Sequence, residues 1–259
     1  MAKKYDKCKV VSNERVALDT YLLEFECEIK NVWPGQFAHL KVMGRGDLLL
    51  RRPISINSID YDKSTVKLIV QSKGEGTQAI CALKSGDIID VLFPCGRGFL
   101  LNKKVKKAAV VGGGIGVAPL KFAIEYYRDI EFDSYIGFRS KEFAYQVDDF
   151  RDISKNIYVC SDDGSLGNPC LVTDILNHNL ESGQGYDIIL ACGPRPMLES
   201  LKKVTAKHNE ACLVSLEERM GCGIGICKTC VCKTIKNGEA DYERVCMDGP
   251  VFDINEVEL

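Results

Sequence analysis

Four cysteines near the C-terminal end stand at a spacing that can do redox chemistry. They are Cys222, Cys227 and Cys230 in the run Cys222-Gly223-Ile224-Gly225-Ile226-Cys227-Lys228-Thr229-Cys230, with Cys246 further along. The pattern C-x4-C-x2-C…C is the ligand spacing of a plant-type [2Fe–2S] cluster. Ferric iron bridged by sulfide is stabilised by soft anionic thiolates. Glycines at 223 and 225 let the backbone take positive φ and turn N–H groups toward the cluster sulfurs. The competing chemistry is structural zinc, which also takes four cysteines. Zinc knuckles usually present two close pairs, whereas here the fourth cysteine stands alone. Cys232 breaks the four-ligand arithmetic and reads as a non-ligating thiol. Of the thirteen cysteines, five fall between 222 and 246 and eight are scattered singly, so only the first group marks a site.

A second signal is Val110-Val111-Gly112-Gly113-Gly114-Ile115-Gly116-Val117-Ala118-Pro119. A buried strand feeding a glycine loop that opens a helix, with proline in its first turn, aims backbone N–H groups and the positive helix end at a phosphate. A tight turn between two elements is the plain alternative. An acidic residue for a ribose, about 20 positions on, would be Glu131 or Asp133. Two more loops, Cys192-Gly193-Pro194-Arg195-Pro196-Met197 and Asp162-Asp163-Gly164-Ser165, follow apolar strand patterns and would join the same crevice. A third signal is Arg51-Arg52-Pro53-Ile54-Ser55. A strand-borne arginine can pair with a pyrophosphate, and a nearby serine can hydrogen-bond a flavin ring nitrogen; two arginines beside a proline are otherwise a solvated strand end. Gly74-Glu75-Gly76-Thr77 offers further backbone N–H groups to an anion. His39, His178 and His208 sit singly and read as surface or core residues rather than catalysts.

These residues need elements to carry them. Alternating stretches at 16–28, 36–42, 65–71 and 88–93, separated by turn residues, predict an N-terminal antiparallel β-barrel over 1–101. One short helix, 77–83 with Thr77 as N-cap, interrupts it. From 102 to 211 short apolar strands (108–111, 135–138, 157–160, 188–191) alternate with helical stretches (117–127, 171–178, 196–208). That pattern predicts a central parallel α/β sheet. Residues 212–259 form a small cysteine-rich segment with little core of its own.

The composition, 46% apolar and 27% charged, is that of a globular protein. A formal net charge of -2 excludes a polyanion-binding signature, hence no nucleic acid as a partner. No apolar run reaches the ~18 residues of a membrane span. The start, Met1-Ala2-Lys3-Lys4-Tyr5-Asp6, has no apolar leader pattern, so a cytoplasmic location without membrane attachment is expected.

Together the motifs resemble the ferredoxin–NADP reductase superfamily, over nearly the whole chain. The tail, Ser215-Leu216-Glu217-Glu218-Arg219-Met220-Gly221-Cys222 with Arg244-Val245-Cys246-Met247-Asp248-Gly249-Pro250, looks like that of the electron-transfer subunits of type B, NAD-linked dihydroorotate dehydrogenases. The resemblance implies FAD held by Arg52, Pro53, Ile54 and Ser55, with Arg52 on the pyrophosphate and Ser55 near the isoalloxazine N5. Ile69, Val70, Gln71, Gly76 and Thr77 would complete that site. Gly112, Gly113, Gly114, Gly116, Asp162, Cys192, Gly193, Pro194 and Met197 would take NAD. Cys222, Cys227, Cys230 and Cys246 would ligate the cluster. It further implies an FMN-containing catalytic subunit that oxidises dihydroorotate in pyrimidine biosynthesis, in a heterotetramer with two copies of each subunit. A flavin between nicotinamide and cluster would convert two-electron to one-electron transfer. The match departs at Ile226, Lys228 and Thr229, which leaves the ligands untouched and would bear on the surface facing the partner. Oxygenase reductases carry a complete ferredoxin domain, for which 222–259 is too short. The small subunits of NADH-dependent ferredoxin:NADP oxidoreductases and sulfide dehydrogenases are closer, but typically place an aspartate in the cluster loop where Cys222 stands here.

Overall fold

The computed structural model describes residues 4–167, 169–236 and 238–259. Residues 1–3, the first half of the stretch 1–6 on which the expectation of no leader rests, lie outside them. The first half contains β1 (Lys4–Ala17), β2 (Thr20–Glu26), β3 (Phe37–Val42), β4 (Arg52–Asp60), β5 (Thr65–Gln71), α1 (Glu75–Cys81) and β6 (Ile88–Cys95). Its strands close into an antiparallel barrel of order β1-β2-β5-β4-β3-β6. Period-two alternation fills it: Val66, Leu68 and Val70 of β5 and Ala38 and Leu40 of β3 share the interior with Val10, Phe25 and Val91. The opposite face of β3 is buried as well, because the C-terminal segment covers it: Phe37 packs in one core with Met220, Cys230 and Cys246. Arg51 is no solvated strand end. Its Nη2 donates to Asp90 Oδ2 at 2.6 Å and its Nη1 to the Asp90 and His39 carbonyls at 3.0 and 3.2 Å, fastening β6 and β3 together.

The second half contains β7 (Lys107–Gly113), α2 (Ala118–Tyr126), β8 (Glu131–Phe138), α3 (Val147–Ile153), β9 (Asn156–Ser161), α4 (Val172–Glu181), β10 (Ile188–Cys192), α5 (Arg195–His208), β11 (Cys212–Ser215), β12 (Val231–Lys236), β13 (Glu239–Arg244) and β14 (Val251–Asp253). A six-stranded sheet runs β14-β11-β10-β7-β8-β9, parallel except for β14. Ala108 to Val111 are all fully buried, with Ala109 and Val111 in the core on one face and Ala108 and Val110 in the core on the other. Two strands, β11 and β14, are recruited from the cysteine-rich segment, which therefore shares the sheet's core. β12 and β13 form a separate hairpin. The strand order reverses between β7 and β10, which opens a crevice at their C-terminal ends.

Barrel and sheet are joined by a reciprocal amide pair. Asn57 Nδ2 donates to Gln146 Oε1 at 2.9 Å, Gln146 Nε2 returns a bond to Asn57 Oδ1 at 3.0 Å, and Asn57 Nδ2 also reaches the Ala118 carbonyl at 2.9 Å. Asn57 is fully buried. Asn57→Ala strands these partners and is expected to lower stability by about 1–3 kcal/mol, read as a reduced urea midpoint.

Candidate flavin cleft, nucleotide crevice and cysteine loop

Between barrel and sheet lies a cleft of about 460 Å³, lined by Pro53, Ile54 and Ser55 from β4, Ile69 and Gln71 from β5, and Cys192 from β10. Alternation along β5 decides which residues reach it: Val70, between Ile69 and Gln71, points into the barrel core. Arg52 sits against α1, where a Cβ on Gly76 would lie 2.2 Å from its Nε. Only glycine lets the guanidinium lie along the first turn. That turn corrects the expected cap. α1 begins at Glu75 with Gly74 as N-cap, and Thr77 stands in the first turn, its Oγ1 accepting the N–H groups of Lys73 and Gly74 at 3.0 and 3.1 Å. Thr77 also lines the cleft. Arg52 and Gly76 do not themselves line the cleft, but their neighbours Pro53 and Thr77 do. Apolar walls with a guanidinium close by fit a flavin ring with its pyrophosphate.

The second cavity, about 390 Å³, adjoins the first and is lined by Gly113, Gly114, Arg139, Tyr145, Gly193 and Pro194. It lies at the point where the strand order reverses. Gly114 takes φ +56°, and Tyr145 Oη donates to the Gly114 and Ile115 carbonyls at 3.1 and 3.2 Å. A Cβ on Gly116 would lie 2.4 Å from the Cys192 carbonyl oxygen, and one on Gly113 would lie 2.7 Å from Met197 Sδ. The two glycine-bearing loops are thus packed backbone to backbone. Gly112 is the buried strand end beneath them, against Val117 and Leu120. Asp162 follows β9 in an exposed turn and lines neither cavity. The acidic candidates of β8 are corrected. Glu131 is level with Lys107, at the far end of the sheet from the glycine loop. Asp133 is fully buried and accepts from Asn156, Gln184 and Tyr186 at 2.8, 2.6 and 2.9 Å, an internal strut.

The cysteine loop takes the geometry its glycines predict, with Gly223 at φ +68° and Gly225 at +83°. Its thiols pair two and two. The N–H of Cys222 points at Cys227 Sγ and that of Cys227 at Cys222 Sγ, both at 3.4 Å, while the Cys246 N–H points at Cys230 Sγ at 3.4 Å. The Ile224 N–H also reaches Cys222 Sγ, at 3.5 Å. Among the described residues no three His, Cys, Asp or Glu side chains are grouped tightly enough to hold a single metal ion. Two thiol pairs, each receiving at least one backbone N–H group, fit a two-iron cluster. Arg244 braces the loop, pairing with Asp248 at 2.8 Å and donating to the Gly225 carbonyl at 3.2 Å. Cys232 is buried in β12, and burial pushes its thiol up to about 11. The exposed Cys227 thiol is instead pulled down to about 6, first by the Thr229 hydroxyl and then by the Cys222 N–H. In metal-free protein iodoacetamide should therefore label Cys227 ahead of the buried cysteines, and the rate should fall as pH drops through about 6. Mass-spectrometric mapping checks this.

Residues 7–99 match the family described as the oxidoreductase FAD-binding domain, and residues 217–258 the iron-sulfur cluster binding domain of dihydroorotate dehydrogenase B. The chain is 41% identical to the dihydroorotate dehydrogenase B (NAD(+)), electron transfer subunit, of Shouchella clausii, over the full length of both. It is 38% identical to the protein of that name from Fusobacterium nucleatum, covering 99% of each. The chain belongs to this family of electron transfer subunits. Among solved structures, that of the NADH-dependent reduced ferredoxin-NADP oxidoreductase superposes with a TM-score of 0.86 at 26% identity, over 97% of this chain and 89% of that one. A ferredoxin NADP+ reductase from Neisseria gonorrhoeae with bound FAD and NADP shares the fold, with a TM-score of 0.66 at 16% identity over 79% and 92%.

In this member of the family two residues without a motif of their own stand where the cavities meet. Lys73 and Glu217 line both. The Glu217 side chain is open to the cleft but enclosed by its walls, and this burial pushes its carboxyl above the usual range, opposed by Lys73. Lys73 carries no sequence signal beyond preceding the Gly74 turn. Glu217 lies in the tail that carries the resemblance, where only the cysteines had a readable role.

Proposed function

We propose that this chain relays electrons between NAD and the catalytic subunit of a dihydroorotate dehydrogenase, in the cytoplasm. One observation carries the reading. Residues 215–220 line the cleft, and two residues further along Cys222 begins the cysteine loop, so a single stretch of backbone joins the two candidate cofactor sites. When bound, FAD exchanges a hydride with nicotinamide and single electrons with an iron–sulfur cluster, linking two-electron to one-electron chemistry.

The residues' own parts follow from their positions. Arg52, lodged against Gly76, would neutralise the FAD pyrophosphate. Pro53, Ile54 and Ile69 would exclude water from the ring, and Ser55 and Gln71 would hydrogen-bond its edge. Gly113, Gly114, Gly193 and Pro194 would seat the NAD phosphates at the crevice, with Gly116 and Met197 keeping the two loops in contact. Cys222, Cys227, Cys230 and Cys246 would hold a [2Fe–2S] cluster.

Ile226 in the loop, Met247 against Gly225, and Tyr242 on the neighbouring β13 are exposed apolar side chains, at 75%, 44% and 66%. Such a patch suits a protein partner, and an FMN-containing subunit in a heterotetramer with two copies of each chain is the partner we propose. Among the described residues no helix is long and apolar enough to cross a membrane. The small-subunit role in an NADH-dependent ferredoxin:NADP oxidoreductase is the second reading, favoured by the close superposition. Mixing the purified chain with the catalytic subunit and following NADH formation from dihydroorotate separates the two. Formation that depends on this chain is expected. Its absence, with NADH-driven ferredoxin reduction instead, selects the second reading.

A further inference from the structure

The barrel wall beside the cysteine loop carries a histidine to which neither cavity gives a role. In β3, Ala38 and Leu40 point into the barrel, so His39 between them points out. It is nevertheless fully buried, because the C-terminal segment lies over that wall. What lies over it is the cysteine loop itself: a Cβ on Gly223 would stand only 2.3 Å from His39 Nδ1. The imidazole therefore touches loop backbone at the residue after Cys222, where φ is +68°. On its other side the ring meets Phe37 edge-on, with centroids 6.3 Å apart and planes at 75°. Phe37 in turn lines the cleft. The strand is pinned by the Arg51 guanidinium, whose Nη1 donates to the His39 carbonyl at 3.2 Å.

A phenylalanine or leucine would fill this space without the desolvation penalty of an imidazole. A polar ring in a low-dielectric contact exerts its full electrostatic effect on what it faces. We propose that His39 is a positioning residue for the cluster: it seats Gly223, and with it Cys222, on the barrel wall, and presents a polar ring that raises the cluster's reduction potential. The inference rests on the reading of Cys222, Cys227, Cys230 and Cys246 as cluster ligands. Outer groups that orient ligands are known to set both affinity and potential.

Three variants of the whole protein, loaded with FAD and cluster, test it. His39→Phe keeps an aromatic ring, somewhat larger, and removes the polarity, His39→Gln keeps a polar group of similar reach, and Gly223→Ala pushes a methyl into the ring from the other side. Iron, sulfide and FAD are measured first, then the cluster midpoint potential by EPR-monitored titration, iron retention against a chelator, and the rate of flavin reduction by NADH. His39→Phe and Gly223→Ala are expected to shift the cluster's reduction equilibrium about tenfold toward the oxidised form, ~59 mV. Both should hold iron about 10- to 100-fold less tightly. His39→Gln should stay close to the original protein, and flavin reduction by NADH should be unchanged in all three. A His39→Phe protein with full cluster, unaltered potential and unaltered iron retention overturns the proposal. Should His39→Phe fail to fold, an unaltered potential in Gly223→Ala overturns it equally. Absence of iron from the unsubstituted protein would sink the ligand reading, and this inference with it.

Discussion

Cys230→Ser is expected to yield a folded protein that still holds FAD and is still reduced by NADH, but carries no cluster and delivers no electrons to a partner. Cys230 and Cys246 are 2% and 1% exposed and form the inner thiol pair, inside the core that also contains Phe37, Val245 and Phe252. A serine there is nearly isosteric, so the packing survives. What is lost is a soft anionic donor, and a hydroxyl is a poor substitute for thiolate on sulfide-bridged iron. The flavin cleft and nucleotide crevice take nothing from Cys230, which lines neither. Iron and sulfide analysis should fall to background while flavin content holds. Cys232→Ser is the control. Its thiol is buried two residues away and raised to about 11, so iron content should not change. Full iron in Cys230→Ser, or loss of iron in Cys232→Ser, would show that the ligand set has been misassigned.

Arg52→Ala should strip the protein of FAD on gel filtration. The guanidinium is folded into the first turn of α1, where Gly76 leaves room for it, and its Nη1 donates to the Leu50 carbonyl at 2.6 Å. It is thus held ready beside the cleft before any ligand arrives. Hydrogen bonds to charged groups contribute about 1.5–3 kcal/mol each, so loss of one or two weakens FAD binding by roughly 10- to 10,000-fold. Arg52→Lys recovers only part, because an ammonium cannot donate in parallel to two phosphate oxygens. Gly76→Val should mimic Arg52→Ala by evicting the guanidinium. Flavin fluorescence released on dilution measures all three. Arg51→Ala is the contrast: that side chain ties β3 to β6, so it should lower stability and leave FAD affinity nearly intact.

What could be read from the sequence was whatever depends on local spacing. The cysteine loop, with positive φ at Gly223 and Gly225, the strand–glycine–helix turn at 110–119 and the parallel strand pattern each lie within one short stretch. The rest depended on contacts between distant segments. His39 looked unremarkable because its meaning comes from Gly223, on a segment that covers the barrel only after folding. Asp133 stood at a plausible distance from the glycine loop, yet strand direction carries it deep into the sheet, where Asn156, Gln184 and Tyr186 claim it. Val70 belonged to a readable stretch, but the pleat turns it away from the cleft. Thr77 resembled a cap because threonines often are one. Gly74 takes that place here because its extended φ of -148° starts the turn earlier, close to Arg52. The strands β11 and β14 are too short, at 212–215 and 251–253, to show a period of their own.

The most direct test is the visible spectrum of the anaerobically purified protein, with iron, zinc and flavin assayed on the same sample. Flavin bands over broad iron–sulfur absorption, both bleached by NADH, with two irons per chain and no zinc, are the expected result. A colourless protein carrying zinc and no flavin would contradict the electron-relay reading outright.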